Sequence, residues 1–210
     1  AGDDLTIVHV EERGLVLGVS LTTPFGQSSE WDEQGPFRYV APHYARMEFA
    51  GLTASVAAPL TERLSAGLGV GLSVSTLNLK QAFPWASLTA VPVPDGVAEM
   101  DVEGAGLGAV AGVRWAIADG HRLAAAWRSA VRVEYEGDLI LGGHPGALLP
   151  PALAATTPRS DLETTFTFPD IASVGYGARL GDAVQVEVDV EWLNWSRYGD
   201  PAYDAGVNTP

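Results

Sequence analysis

Residues 64–76 read LSAGLGVGLSVST, and this alternation leaves few folds open. Successive side chains of a strand point to opposite sides. Leu64, Ala66, Leu68, Val70, Leu72 and Val74 therefore share one face, with Ser65, Gly67, Gly69, Gly71, Ser73 and Ser75 on the other. A sheet wetted on one side normally places Lys, Glu or Gln there. Here the face opposite the apolar one carries only glycine and serine, so it is not ordinary solvated surface.

The same logic recurs along the chain. Candidate strands fall at residues 5–10, 15–23, 44–58, 64–76, 101–117, 122–137, 163–179 (interrupted near Pro169) and 183–196. Short turns at 11–14, 59–63, 118–121 and 180–182 alternate with long loops at 24–43, 79–99 and 138–161. No helical period is sustained, so the pattern predicts an antiparallel meander of about eight strands. The chain has 47% hydrophobic residues, 24 glycines and only 18% charged residues. That balance fits a protein that shows apolar surface to something other than water. The net charge of -14 argues against nucleic-acid binding. With no cysteine, disulfides and thiol chemistry are excluded. No apolar run is long enough for a transmembrane helix. No signal peptide is visible either, so the chain is expected to be mature, trimmed or a fragment.

Two architectures share this alternation. In a soluble barrel or sandwich the apolar face is the core; in a membrane barrel it meets lipid. Long strands, short turns at one end with long loops at the other, and non-apolar faces of Gly, Ser, Thr or matched charge all favour the membrane barrel. So do Trp115, Trp127, Tyr135 and Trp192, which fall on the apolar face, mostly near strand ends. The fold expected is all-β, an antiparallel transmembrane β-barrel. The first strand would begin and the last would end at the long-loop side, and an open sheet would leave edges unpaired in lipid. Residues 1–210 are therefore expected to be a single barrel-domain fragment.

Three segments carry a family likeness. Residues 17–26 (LGVSLTTPFG), followed by Trp31, then 126–139 (AWRSAVRVEYEGDL) and 167–198 (TFPDIASVGYGARLGDAVQVEVDVEWLNWSRY) together resemble the FadL/TodX family of outer-membrane transporters for long-chain fatty acids and aromatic hydrocarbons. Where the family has Tyr-Arg-Ser, this chain has Trp127-Arg128-Ser129. The resemblance implies a 14-stranded barrel plugged by an N-terminal hatch. The chain is expected to lack both the hatch and the C-terminal strands. It also implies that strand irregularities can open a lateral exit; the one near Pro169 is either such a place or, the reading preferred, a simple bulge.

For the lumen, the strands up to Arg114 offer Gly, Ser, Thr and Ala. Those from Arg122 onward offer Arg128, Arg132 and Arg179 with Glu134, Glu136, Glu187, Asp189 and Glu191. These charges either satisfy one another, hold a plug, or capture a carboxylate through arginine; the ligand-binding candidates are Arg128 and Arg132. In the outer loops the candidates are Phe83, Trp85, Leu148 and Leu149. Capture of hydrophobic molecules, which the resemblance implies, competes there with loop-on-loop packing. His9, His43, His121 and His144 are scattered, so no metal is expected. No nucleophile–His–acid order appears either, so no catalytic residue, enzyme activity or cofactor is expected. The function expected is passive uptake of hydrophobic compounds, such as long-chain fatty acids or aromatic hydrocarbons, across the outer membrane of a Gram-negative-type bacterium. The alternative is a structural or adhesive barrel that binds a partner through its loops. The partners expected are hydrophobic small molecules, membrane lipid and lipopolysaccharide.

Overall fold

The computed structural model describes residues 5–10, 14–89, 91–153, 155–181, 183–198 and 203–204. The expected turns at 11–14 and 180–182 and the C-terminal stretch lie partly outside them. Among the described residues twelve strands form one antiparallel sheet. They are β1 (Leu5–Val10), β2 (Val16–Thr22), β3 (Gly26–Glu30), β4 (Tyr44–Pro59), β5 (Leu64–Phe83), β6 (Gly96–Ala118), β7 (His121–Arg128), β8 (Val131–Leu141), β9 (Arg159–Phe168), β10 (Ile171–Leu180), β11 (Val184–Leu193) and β12 (Tyr203–Asp204).

Several of these are halves of one long strand. β2 and β3 both run beside β4, β7 and β8 both beside β6, and β9 joins β8 and β12 where β10 joins β7 and β11. Merging the halves leaves the eight-strand meander that the alternation predicts. The unbroken strands outrun expectation: β5 continues to Phe83 and β6 starts at Gly96, so much of the loop expected at 79–99 is strand. The described sheet is not closed; β1 and β11 end its path.

The interruptions have local causes. On β6, Val110 faces Arg128 while Ala105 faces Glu134, so five steps on β6 stand opposite six on β7–β8. That extra residue is a β-bulge. Ser129 pins it: its Oγ accepts the Ala109 N–H (2.9 Å), while its own N–H donates to the Ala109 carbonyl (2.8 Å). The β2–β3 break likewise sets four steps, Thr22 to Gly26, against three on β4. Pro169 interrupts β9–β10, as proline must in a ladder. Beyond β11, Asn194 donates to Asp170 from its side chain (3.0 Å) and its backbone (3.0 Å), which ties down the fourth break.

A one-residue insertion turns every following side chain to the other face. Leu123, Ala125 and Trp127 therefore face one way, and Val131, Val133 and Tyr135 the opposite way. The sequence reading placed Trp127 and Tyr135 on one face. The buried core gathers on the second side: Phe49, Leu77, Met100, Val102, Val131, Val133, Tyr135, Leu162, Phe166 and Phe168. Phe49 and Phe168 sit four strands apart, roughly 19 Å along a sheet with ~4.8 Å spacing. Their ring centroids are nonetheless 4.7 Å apart, so this face is strongly concave. Tyr135 crosses the same trough to donate to Ser75 Oγ (2.7 Å), which in turn donates to the Glu48 carbonyl (2.7 Å). Glycine makes the close approach possible: a Cβ on Gly106 would lie 2.4 Å from the Arg132 carbonyl and 2.7 Å from Val131 Cγ1.

Candidate functional site

The convex face of the lower strands is an uninterrupted apolar wall. On β5 it presents Leu68, Val70, Leu72 and Val74; across the register stand Leu52 and Ala54 on one side and Leu107 and Ala109 on the other. Leu107 is 75% exposed and Val70 69%. These residues are not a core. Leu64 to Val74 spans about 34 Å along the strand at ~3.4 Å per residue, or about 25 Å once tilted by ~40–45°, the height of a barrel's apolar band. Trp127 and Trp192 sit one residue from the upper ends of β7 and β11, and Trp115 lies three residues from the turn end of β6. Near that end His121 Nδ1 and the Tyr176 hydroxyl are 2.7 Å apart. Such edges are where amphipathic rings belong. Tyr135, expected in this girdle, is instead buried in the trough. No helix among the described residues is long and apolar enough to cross a membrane.

On β4–β6 the band stops at one register row; on β8 it ends lower, because Arg132 and Glu134 stand on the convex face below Glu136. Glu48, Thr76, Glu103, Glu136 and Glu163 are successive partners across β4, β5, β6, β8 and β9. Above it the convex face is charged. Lys80 pairs with Glu99 (2.7 Å), Arg46 with Glu48, and Arg159 grips Asp138 with two bonds of 2.7 and 2.5 Å. The arginine holds the Asp138 carboxyl below its usual range.

The bulge separates the two lumen candidates. Arg128 precedes it and faces the concave side, on a small void of about 20 Å³ shared with Thr22, Phe25, Phe49 and Ser129. Arg132 follows it and stands on the convex side, 67% exposed, 3.4 Å from Glu134. Glu134 and Glu136 share that outer face and are not lumen residues. Just above Arg128 the trough is crossed by Phe25, Phe49 and Phe168, with centroid separations of 5.3, 5.1 and 4.7 Å.

The loop candidates divide as well. Trp85 is 1% exposed, donates from Nε1 to the Gly142 carbonyl (2.8 Å) and packs against Phe83 and His144. Leu149 is also buried, whereas Leu148 remains exposed. Trp85, with Phe83 against it, thus joins the loop after β5 to the loop after β8. The residues held out to the surroundings are Trp31, Phe37 and Val40 of the 31–43 loop. Sequence reasoning passed over Phe37 and Val40, which lie singly in a polar stretch rather than in an apolar cluster. Among the described residues, no group of three or more His, Asp or Glu side chains could hold a metal ion.

Comparison with known proteins agrees with this architecture. No curated protein matches the sequence. Among solved structures, a FadL homologue of Pseudomonas aeruginosa is similar over 97% of this chain and 50% of its own, at 21% identity and a TM-score of 0.84. The Pseudomonas putida toluene transporter TodX is similar over 98% of this chain and 58% of its own, at 16% identity and a TM-score of 0.68. The monoaromatic hydrocarbon channel CymD is similar over 99% and 58%, at 17% identity and a TM-score of 0.68. The chain therefore spans little more than half the length of the structures it matches. Residues 5–202 match the profile of the outer membrane protein transport protein family (OMPP1/FadL/TodX); the chain belongs to that family.

Proposed function

We propose that the chain forms one side of an outer-membrane barrel that carries hydrophobic molecules passively, receiving them at the looped end and passing them along the concave face. The observation that carries this reading is the convex wall of exposed Leu, Val and Trp side chains, which is stable only against lipid. The similarity to a toluene transporter and a monoaromatic hydrocarbon channel supports an apolar cargo. Unpaired strand edges in lipid are prohibitive. We infer that further strands complete the wall beyond β1 and β11. Lipid then covers the band, and lipopolysaccharide meets the charged face above it. No enzymatic step or cofactor enters this reading.

Arg128 is the residue that would separate cargo classes. It stands on the concave face below the three phenylalanines, where a guanidinium fits a carboxylate and does nothing for a neutral ring. The test is uptake of radiolabelled oleate and of toluene by cells that lack their own uptake route and express the complete gene. Uptake of either supports transport. With Arg128→Ala, oleate uptake falls about tenfold while toluene is unaffected, as expected for one lost charge-assisted contact. Equal effects on both cargoes would remove Arg128 from head-group binding. Cells that take up neither would leave the adhesive reading, which the exposed Trp31, Phe37 and Val40 favour.

A further inference from the structure

One side chain draws together the two limbs of the loop between β8 and β9. His144 Nε2 lies 2.9 Å from the carbonyl oxygen of Thr156, twelve residues on, and its Nδ1 accepts the Gly146 N–H at 3.1 Å. Gly146–Leu148 forms a short 3-10 turn, closed by the Leu149 N–H donating to the Gly146 carbonyl (3.1 Å). Leu149 is buried beside it, while Leu148 is exposed. The feet of the loop are held separately. The Leu141 N–H donates to the Pro158 carbonyl (2.8 Å) and the Gly142 N–H to the Val97 carbonyl (2.8 Å). The imidazole therefore holds the body of the loop rather than its anchor points.

These two partners fix the protonation of the ring. A carbonyl oxygen only accepts, and a backbone N–H only donates. Nε2 must carry the proton, and Nδ1 must offer its lone pair. Both bonds exist together only in the neutral ring, because an imidazolium carries N–H on both nitrogens. Its Nδ1–H would point at the Gly146 N–H, hydrogen against hydrogen. The bond to Thr156 survives protonation and strengthens as a charge-assisted bond, so the ring stays and the turn yields. Gly146 is free to move: it sits at φ +59°, and a Cβ there would meet nothing within 4 Å.

The surroundings supply no counter-charge. Residues 142–158 contain no other titratable side chain, and residues 84–94 of the neighbouring loop contain none. The ring packs against neutral Trp85 of that loop, with centroids 5.2 Å apart. The carboxylates on the adjoining elements are already engaged: Asp95 by Arg38 and Tyr39, Glu99 on β6 by Lys80, and Asp138 on β8 by Arg159. Histidine changes charge between about pH 5 and 8. The neutral arrangement is therefore present above that range and lost as pH falls through it. We propose that His144 is an acid-released latch on the looped end of the barrel. Neutral, it keeps the Gly146–Leu149 turn folded with Leu149 buried; protonated, it frees the turn and adds apolar surface at that end. The latch rests on hydrogen bonds within the loop and stands whether or not the barrel transports.

A spin label tests it. Ala147 is exposed and the chain has no cysteine of its own, so Ala147→Cys gives a single labelled site inside the turn. Spectra of the bilayer-embedded protein are compared at about pH 7.5 and about pH 5, on either side of most of the histidine range. Loss of one hydrogen bond is expected to raise the ratio of mobile to immobile label about fivefold at the lower pH. His144→Asn and His144→Gln carry amides that do not titrate, so in each of them the ratio is expected to be the same at both pH values. A label at Leu60→Cys, in the distant turn between β4 and β5, should not respond. An unchanged Ala147→Cys spectrum with His144 intact, a pH response that persists in either amide variant, or an equal response at Leu60→Cys would overturn the latch.

Discussion

The lower and upper halves of β4, β5 and β6 are one continuous piece of sheet with opposite polarity. Below the Glu48–Thr76–Glu103 row, the convex face is apolar and the concave face is mostly Gly, Ser and Thr, joined by Phe49, Val110 and Arg114. Above it the convex face carries Arg46, Asn78, Lys80, Glu99 and Asp101, while Met47, Leu77, Met100 and Val102 turn inward. The backbone geometry is the same in both halves; the surroundings differ. In the proposed barrel, lipid lies outside the lower half and the passage inside it, whereas water lies outside the upper half, whose interior is packed core. Face polarity therefore reports the medium at each height rather than any property of the strand.

Substitutions sharpen this contrast. The largest effect is expected in the upper core: Phe168→Ala removes a ring that packs on Phe25 and Phe49 and should lower unfolding free energy by about 3–5 kcal/mol. A denaturant midpoint that barely moves would mean the upper half has no true core. Next, Val70→Arg on the lower convex face should cost about 2–4 kcal/mol in a bilayer, against less than about 1 kcal/mol for Thr76→Arg three rows higher on the same face. Equal costs would abolish the distinction between halves. At the junction, Ser129→Ala strips the Ala109 N–H of its acceptor and should cost about 1–2 kcal/mol. Amide exchange at Ala109 would show it as lost protection. The smallest effect belongs to the charged upper surface. Arg159 depresses the Asp138 pKa, so the pair contributes fully above the usual carboxylate range and is lost only as pH falls below it. Asp138→Asn should remove that acid-side dependence and little else, visible as matching acid-unfolding curves for variant and parent below the carboxylate range.

The meander, the lipid-facing band and the family were legible because period-two alternation survives along every lower strand. The polarity exchange was legible too, though as a change of spacing rather than of period. Apolar residues step by two within each half and by three across the boundary: Met47 to Ala50, Val74 to Leu77, Val102 to Ala105. On β7–β8 the bulge adds one residue, so the jump becomes four, Trp127 to Val131. Four is even, and alternation passes through it unbroken. That is why Tyr135 read as a lipid-facing ring and Arg132 as a lumen residue beside Arg128. The burial of Trp85 depends on one loop meeting another, which no local pattern encodes.

The most direct test uses the absence of cysteine. Single cysteines at Leu68, Val70, Leu72, Thr76, Asn78 and Lys80, spin-labelled in the bilayer-embedded protein, report collision with oxygen, which concentrates in lipid, and with a water-soluble nickel complex. The account predicts oxygen dominance at residues 68–72 and a switch to nickel dominance from Thr76 upward. Nickel access at all six positions, or oxygen dominance through Lys80, would contradict a lipid boundary at the Glu48–Thr76–Glu103 row.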